Sequence, residues 1–151
     1  DQAYFDRLHQ AVVEADNRGL YVVVELFSSR ALDAASWQQQ PFAANNNSNG
    51  FNGDANGDGA GLEMAGLTNA NVTGLQDAYV QKVVATLGDL DNVLYQVSDE
   101  AAAFQLDWKQ HMLQSVTQSD QPSAVRHLAG AYAAGDAEVQ ALRGSGVSAK
   151  R

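Results

Sequence analysis

The stretch from Asn92 to Glu100, "NVLYQVSDE", holds the residues whose types and spacing best suit chemistry. Successive side chains of a β-strand point to opposite faces. Gln96, Ser98 and Glu100 are therefore expected on one face, while the other face is apolar as far as Val97. An amide, a hydroxyl and a carboxylate in a row can hydrogen-bond a polar ligand, and the glutamate can act as a general acid or base. The pattern predicts a binding or catalytic site at the carboxyl end of this strand.

A second candidate site lies in the segment "DANGDG". Asp54, Asn56 and Asp58 occupy the first, third and fifth positions of a calcium-loop pattern, and Gly59 occupies the sixth. The twelfth position, where a bidentate glutamate is expected, is Ala65. The segment predicts a structural calcium ion or another hard cation, and the alternative is a tight Asn/Gly turn.

The composition limits the classes of partner. The chain has 151 residues, of which 45% are hydrophobic, and a formal net charge of −9. This length and hydrophobic content predict one globular domain, 1–151, and the negative charge argues against nucleic acid as a partner. No apolar run approaches the roughly 18 residues of a membrane-spanning helix, and the N-terminus shows no signal-peptide pattern. The absence of cysteine excludes disulfides and thiolate chemistry.

Periodicity predicts an alternation of helices and strands that would position these residues. Helices are expected at 4–18, 73–87, 106–118 and 136–143, and strands at 20–27, 92–100 and 124–132. Strands that alternate with helices of this length form parallel sheets with right-handed crossovers. The Asn/Gly/Asp-rich segment 44–61 is a long loop, and a loop of that length is either functional or disordered.

The polar strand face favours one kind of parallel sheet. Open parallel sheets carry helices on both faces, whereas in (β/α)8 barrels one strand face looks into the cavity. Two helical layers would bury Gln96, Ser98 and Glu100 poorly. The predicted fold class is therefore α/β, a partial TIM-type (β/α) barrel. The same alternation on the first strand assigns four residues to the inward face: Tyr21, Val23, Glu25 and Phe27.

Three segments resemble the central part of cellulase-like glycoside hydrolases of clan A. They read "YFDRL…RGLYVVVELF", "W…PF…NNNSNGFNGD…GDGAGLE" and "LQDAYVQKVVATLGDLDNVLYQVSDE", and the resemblance runs from about residue 4 to 108. The resemblance implies a (β/α)8 barrel whose retaining hydrolysis uses glutamates at the ends of strands four and seven. The family's strand-four motif reads roughly "NVLYEISNE", so Glu100 matches its general acid/base. Asp99 stands where the family has an asparagine that donates to the sugar 2-hydroxyl, and Gln96 replaces a family glutamate.

The resemblance implies hydrolysis of β-glycosidic bonds in a carbohydrate substrate. Glu100 would protonate the leaving oxygen, and Asp99, Gln96 and Ser98 would orient it. If the strands are the third to fifth of a barrel, no motif supplies the strand-seven nucleophile, and Glu25 is the only local candidate for a second carboxylate. The alternative is a non-catalytic half-barrel that binds carbohydrate or calcium, or that serves as an assembly unit.

The remaining expectations concern a sugar platform, assembly and location. Trp37 is a candidate for stacking on a sugar ring, with packing in the core as the alternative. Open sheet edges and an exposed apolar face predict self-association, most simply as a twofold homodimer. The resemblance favours a secreted or periplasmic location, and the reaction requires no cofactor.

Overall fold

Three parallel strands form one sheet in the computed structural model, which describes residues 1–99 and 104–144. Strand β1 (Val22–Phe27) pairs with β2 (Val93–Ser98), and β2 pairs with β3 (Leu128–Gly130). The strands are thus neighbours in chain order. The predicted α/β fold with a parallel sheet is confirmed, and the described strands form an open sheet.

The described residues include four helices that flank the sheet. They are α1 (Gln2–Asp16), α2 (Ala70–Leu87), α3 (Leu106–Asp120) and α4 (Asp136–Gly144). Helix α2 connects β1 to β2, and α3 connects β2 to β3, so each forms a crossover between parallel strands. Among the described residues, no helix is long and apolar enough to cross a membrane.

The hydrophobic core lies between α2, α3 and one face of the sheet. Its buried apolar residues from these elements are Leu26, Val72, Val80, Val83, Val84, Leu87, Val93, Tyr95, Val97, Trp108, Met112, Leu113 and Val116. The opposite face of the sheet lacks such cover, because Tyr21 is 74% exposed, Val23 58% and Leu128 51%. Within residues 1–99 and 104–144 the sheet is therefore packed on one side only.

Local hydrogen bonds move several element boundaries away from their predicted positions. Helix α2 starts at Ala70 rather than 73 because the Asn69 side chain accepts a hydrogen bond from the amide of Val72 (3.3 Å). Strand β3 covers three residues instead of the predicted 124–132. Its approach is irregular because the amide of His127 donates to the Asp120 carboxylate (2.9 Å) rather than to the neighbouring strand.

The long connection between β1 and α2 is organised around Trp37. Four short 3₁₀ turns interrupt it, at Ser29–Ala31, Trp37–Gln39, Ala44–Asn46 and Leu62–Ala65. The Trp37 ring is 1% exposed and lies so close to Gly53 and Gly61 that a Cβ on Gly61 would come within 2.1 Å of it. These glycines are required because the ring packs directly on the backbone.

Phe27 departs from its predicted position. It was expected on the helix-free side of the sheet, but its ring makes edge contacts with Tyr79 of α2 (5.7 Å between centroids) and Trp108 of α3 (5.2 Å). Phe27 is the last residue of β1. At this point the strand ends, and the side chain can turn to the apolar helical layer.

Candidate functional site

Two rows of side chains cross the uncovered side of the sheet. Val23, Leu94 and Leu128 are in register on the three strands and form an apolar row. Two residues further along each strand, Glu25, Gln96 and Gly130 form the next row. We call the surface formed by these six residues the helix-free face. Glu25 is exposed and Gln96 is half-buried, so two polar side chains stand next to each other on neighbouring strands.

The helix-free face borders an open depression of about 460 Å³. Val23, Leu94, Leu128 and Tyr132 supply apolar or aromatic lining, and Gln96 supplies an amide. The volume lies within the usual range of small-molecule sites. An apolar floor with a polar edge suits a sugar ring, which has a C–H face and a rim of hydroxyls.

Asp99 ties the end of β2 to the turn that follows β1. Its Oδ2 accepts hydrogen bonds from Ser28 Oγ (2.8 Å), the Ser29 amide (2.9 Å) and Ser29 Oγ (3.0 Å). The Asp99 amide also donates to the carbonyl of Phe27 (3.3 Å). An ionised carboxylate can only accept, and this one holds the two strand ends together. Asp99 therefore connects the ends of β1 and β2, and its predicted role in orienting a catalytic group stays a prediction.

Glu100, the predicted general acid/base, lies outside the described residues, which resume at Phe104. Its role therefore stays a prediction. The last described residue before it is Asp99, whose position is held by the Ser28–Ser29 turn.

Two predicted substrate-binding residues are not accessible. Ser98 is fully buried, with 0% of its surface exposed, and its hydroxyl has no hydrogen-bond partner in the described part of the chain. Trp37 is buried against glycine backbone, so neither face of its ring is offered to a sugar. This burial favours the packing alternative for Trp37, because a stacking platform must present a face to solvent.

The segment from Asp54 to Gly59 folds into a tight turn held by its own side chains. The Asp54 carboxylate, which is buried, accepts the amides of Gly57 (2.7 Å), Asp58 (3.1 Å) and Gly59 (3.0 Å). Asn56 Oδ1 accepts the amide of Asp58 (2.8 Å). Across residues 1–99 and 104–144, no group of three or more Asp, Glu, His or Cys side chains could hold a metal ion. These hydrogen bonds account for the conformation of the segment, and a bound cation stays a prediction.

One buried ion pair near the depression was not predicted from the sequence. Lys109 of α3 is 1% exposed, and its Nζ lies 2.8 Å from Oε1 of Glu138 in α4 and 5.8 Å from the ring centre of Tyr132. The hydrogen bond from Lys109, together with one from the amide of Ala134, holds the pKa of Glu138 below its usual value. A signal was present, because Lys109 shares a helical stripe with Met112 and other buried residues of α3.

Tyr95 borders the same region from the core side. Burial, followed by the negative charge of Asp120, raises the pKa of the Tyr95 hydroxyl well above its ordinary value. The hydroxyl is buried and has no hydrogen-bond partner among the described residues. Tyr95 is therefore a neutral packing residue at physiological pH.

Comparison of this chain with family models, with curated proteins and with solved structures finds no match.

Proposed function

We propose that this chain is part of a glycoside-hydrolase-type (β/α) barrel and that its helix-free face binds β-linked carbohydrate. The observation that carries the proposal is the register of Glu25 with Gln96 beside the apolar row of Val23, Leu94 and Leu128. This arrangement supports a sugar site, because hydroxyl-binding groups stand next to an apolar surface at the end of a parallel sheet.

The strand order supports a barrel segment. In a doubly wound sheet the strand order reverses at a switch point, and helices cover both faces. Here the order is β1-β2-β3, and the exposed face carries Val23 and Leu128. A continued series of such units, all wound in the same direction, would curve toward closure with the helix-free face inside.

Each residue then has a defined role in the proposed site. Glu100 donates the proton to the leaving oxygen, and Asp99 fixes the strand end that carries it. Gln96 and Glu25 hydrogen-bond sugar hydroxyls. Glu25 is paired with Gln96 in the sheet register. Gln96 lies three residues before Asp99, so Glu25 is about 10 Å from the strand end, at about 3.3 Å per residue. Retaining hydrolysis needs carboxyls about 5 Å apart, so the register favours ligand binding by Glu25 over a nucleophilic role.

The hydrolysis test uses aryl β-glycosides that differ in the acidity of the leaving phenol. If Glu100 is the general acid, Glu100→Gln should lower the rate at least about a hundredfold for poor leaving groups. The loss should be smaller for strongly acidic phenols, which leave without protonation. Glu14→Gln is the matched control, because Glu14 is exposed on α1 and its ion pair with Arg18 (3.3 Å) is also exposed. Activity that survives Glu100→Gln across the whole series would remove Glu100 from the mechanism.

The alternative without catalysis is a half-barrel that binds carbohydrate only. It predicts oligosaccharide binding that depends on Gln96 and Glu25 but no turnover of any aryl glycoside. Binding without hydrolysis would therefore select this alternative.

We also propose that the turn from Asp54 to Gly59 holds a hard cation. Asp54, Asn56 and Asp58 place oxygen atoms in one turn, where Asn56 Nδ2 also donates to Asp58 Oδ2 (3.1 Å). Carboxylate and amide oxygens are the ligands that calcium prefers. A calcium-dependent rise in thermal stability tests this proposal.

A further inference from the structure

The loop 44–61 contains three Asn-Gly pairs within nine residues, and they differ in their hydrogen bonds. The pairs are Asn49-Gly50, Asn52-Gly53 and Asn56-Gly57. All three asparagines are exposed, so exposure alone does not distinguish them. Glycine lacks a Cβ, so it gives the backbone around an asparagine unusual freedom.

Two of the pairs are held at both reacting groups. Asn52 Nδ2 donates to the carbonyl of Asp54 (2.9 Å), and the amide of Gly53 donates to the carbonyl of Phe42 (2.9 Å). In the next pair, Asn56 Nδ2 donates to Asp58 Oδ2 (3.1 Å), and the amide of Gly57 donates to Asp54 Oδ1 (2.7 Å).

The pair Asn49-Gly50 has none of these restraints. Within the described residues the Asn49 side chain makes no hydrogen bond, and neither does the amide of Gly50. Gly50 has a φ of +74°, and apart from Gly50 itself and its two chain neighbours no residue has an atom within 4 Å of where a Cβ would be. The side-chain amide and the following backbone nitrogen are therefore free to approach each other.

We propose that Asn49 is a site of selective, spontaneous deamidation and isoaspartate formation. The backbone nitrogen of Gly50 loses its proton to hydroxide and attacks Cγ of Asn49. A C–N bond forms, the Cγ–Nδ2 bond breaks, and ammonia leaves. Water then opens the five-membered succinimide at either carbonyl carbon and gives aspartate or isoaspartate. The net reaction consumes one water, releases one ammonia and involves no oxidation. It is independent of the proposed carbohydrate site.

The product adds one negative charge to a chain whose formal net charge is −9. The surrounding loop should keep its shape, because Asn47 Nδ2 bridges the carbonyls of Ala43 (3.0 Å) and Phe51 (3.1 Å) on either side of the reacting pair. Asn56, which belongs to the proposed cation turn, stays an amide.

The test is peptide mapping by mass spectrometry after incubation of the folded chain at mildly alkaline pH. Cleavage after Phe42, Phe51 and Leu62 places Asn49 in a different peptide from Asn52 and Asn56. Asn49 should convert at least about tenfold faster than the other two, the ratio that about 1.4 kcal/mol of local opening gives. In urea all three should convert at similar rates, because the restraints are gone.

Two outcomes would overturn the inference. One is conversion of Asn52 or Asn56 as fast as Asn49 in the folded chain, and the other is a folded chain in which Asn49 resists while the urea sample reacts. A variant provides a second check. In Asp54→Ala the Gly57 amide loses its acceptor, so conversion of Asn56 should rise toward that of Asn49 while Asn49 itself is unaffected. An unchanged rate at Asn56 would show that the hydrogen bonds do not control the chemistry.

Discussion

The two partners of the buried pair Lys109–Glu138 are expected to differ in how much their removal lowers the free energy of unfolding. Lys109 Nζ is inside the protein, whereas the Glu138 side chain keeps 18% of its surface exposed and also accepts the amide of Ala134 (2.7 Å). Glu138→Gln leaves a buried ammonium without a counter-charge. Removing one partner of a buried pair costs about 3–5 kcal/mol, and partial access of water to Glu138 places the expected loss near the lower end, at about 3 kcal/mol.

Lys109→Met should cost less. The methionine retains the apolar stem of the lysine, the buried charge disappears, and Glu138 can turn toward water while it keeps the Ala134 amide. We expect a loss of about 1 kcal/mol, the scale of one net hydrogen bond. The double variant should lie close to Lys109→Met, because a buried pair replaced by neutral groups is often nearly neutral in stability.

Urea unfolding at neutral pH measures these differences. A loss of about 3 kcal/mol corresponds to a fall in melting temperature of about 6–12 °C for a chain of this length. Glu14→Gln is the control, and its exposed pair with Arg18 should contribute less than about 0.5 kcal/mol. Greater destabilisation by Lys109→Met than by Glu138→Gln would show that an unpaired buried ammonium is not the dominant cost.

The pH dependence of the same pair has a fixed sign. The pKa of Glu138 is lowered in the folded state by the hydrogen bond from Lys109 and then by that from Ala134. Its contribution is therefore fully present above the unfolded pKa of a glutamate, about 4.3, and is lost as the pH falls through the lower folded value. The difference in free energy of unfolding between the wild-type chain and Glu138→Gln should therefore decrease in that acidic range.

Two further predictions concern the cation turn and assembly. Calcium should raise the melting temperature in proportion to the logarithm of its concentration above the dissociation constant, and Asp54→Asn should abolish the rise; a flat response of the unchanged chain would contradict the cation proposal. Because Tyr21, Val23 and Leu128 are exposed and the outer strands have open edges, light scattering over a range of concentrations should show a dimer. A compact monomer near 16.1 kDa at high micromolar concentration would count against self-association.

The order of helices and strands could be predicted from the sequence because it depends on local pattern. The apolar positions of α2 and α3 recur at helical spacing, and every second residue of β2 from Val93 to Val97 is buried. The direction in which Glu25 and Gln96 point could be predicted for the same reason, since it follows from strand alternation. Their register with each other depends on pairing between strands, which no pattern within a single strand specifies.

The features that pattern did not reveal depend on contacts between distant residues. The burial of Trp37 follows from Gly53 and Gly61, whose backbone it packs against. The position of Asp99 depends on the Ser28–Ser29 turn about 70 residues earlier in the chain. The partners of such a contact are too far apart in the chain to fall within one short sequence segment. Periodicity can therefore predict a helix or strand, but it does not predict which distant residue a side chain contacts.

We propose that the helix-free face binds β-linked carbohydrate, and an NMR titration of the chain with cellotetraose measures this binding residue by residue. Amide shifts should concentrate at Glu25, Gln96 and Gly130 and be saturable. Gln96→Ala should weaken binding about tenfold, which corresponds to about 1.4 kcal/mol, whereas Gln10→Ala on the exposed side of α1 should leave it unchanged. Absence of amide shifts at this face at millimolar sugar, or equal effects of the two substitutions on affinity, would contradict carbohydrate binding by the helix-free face.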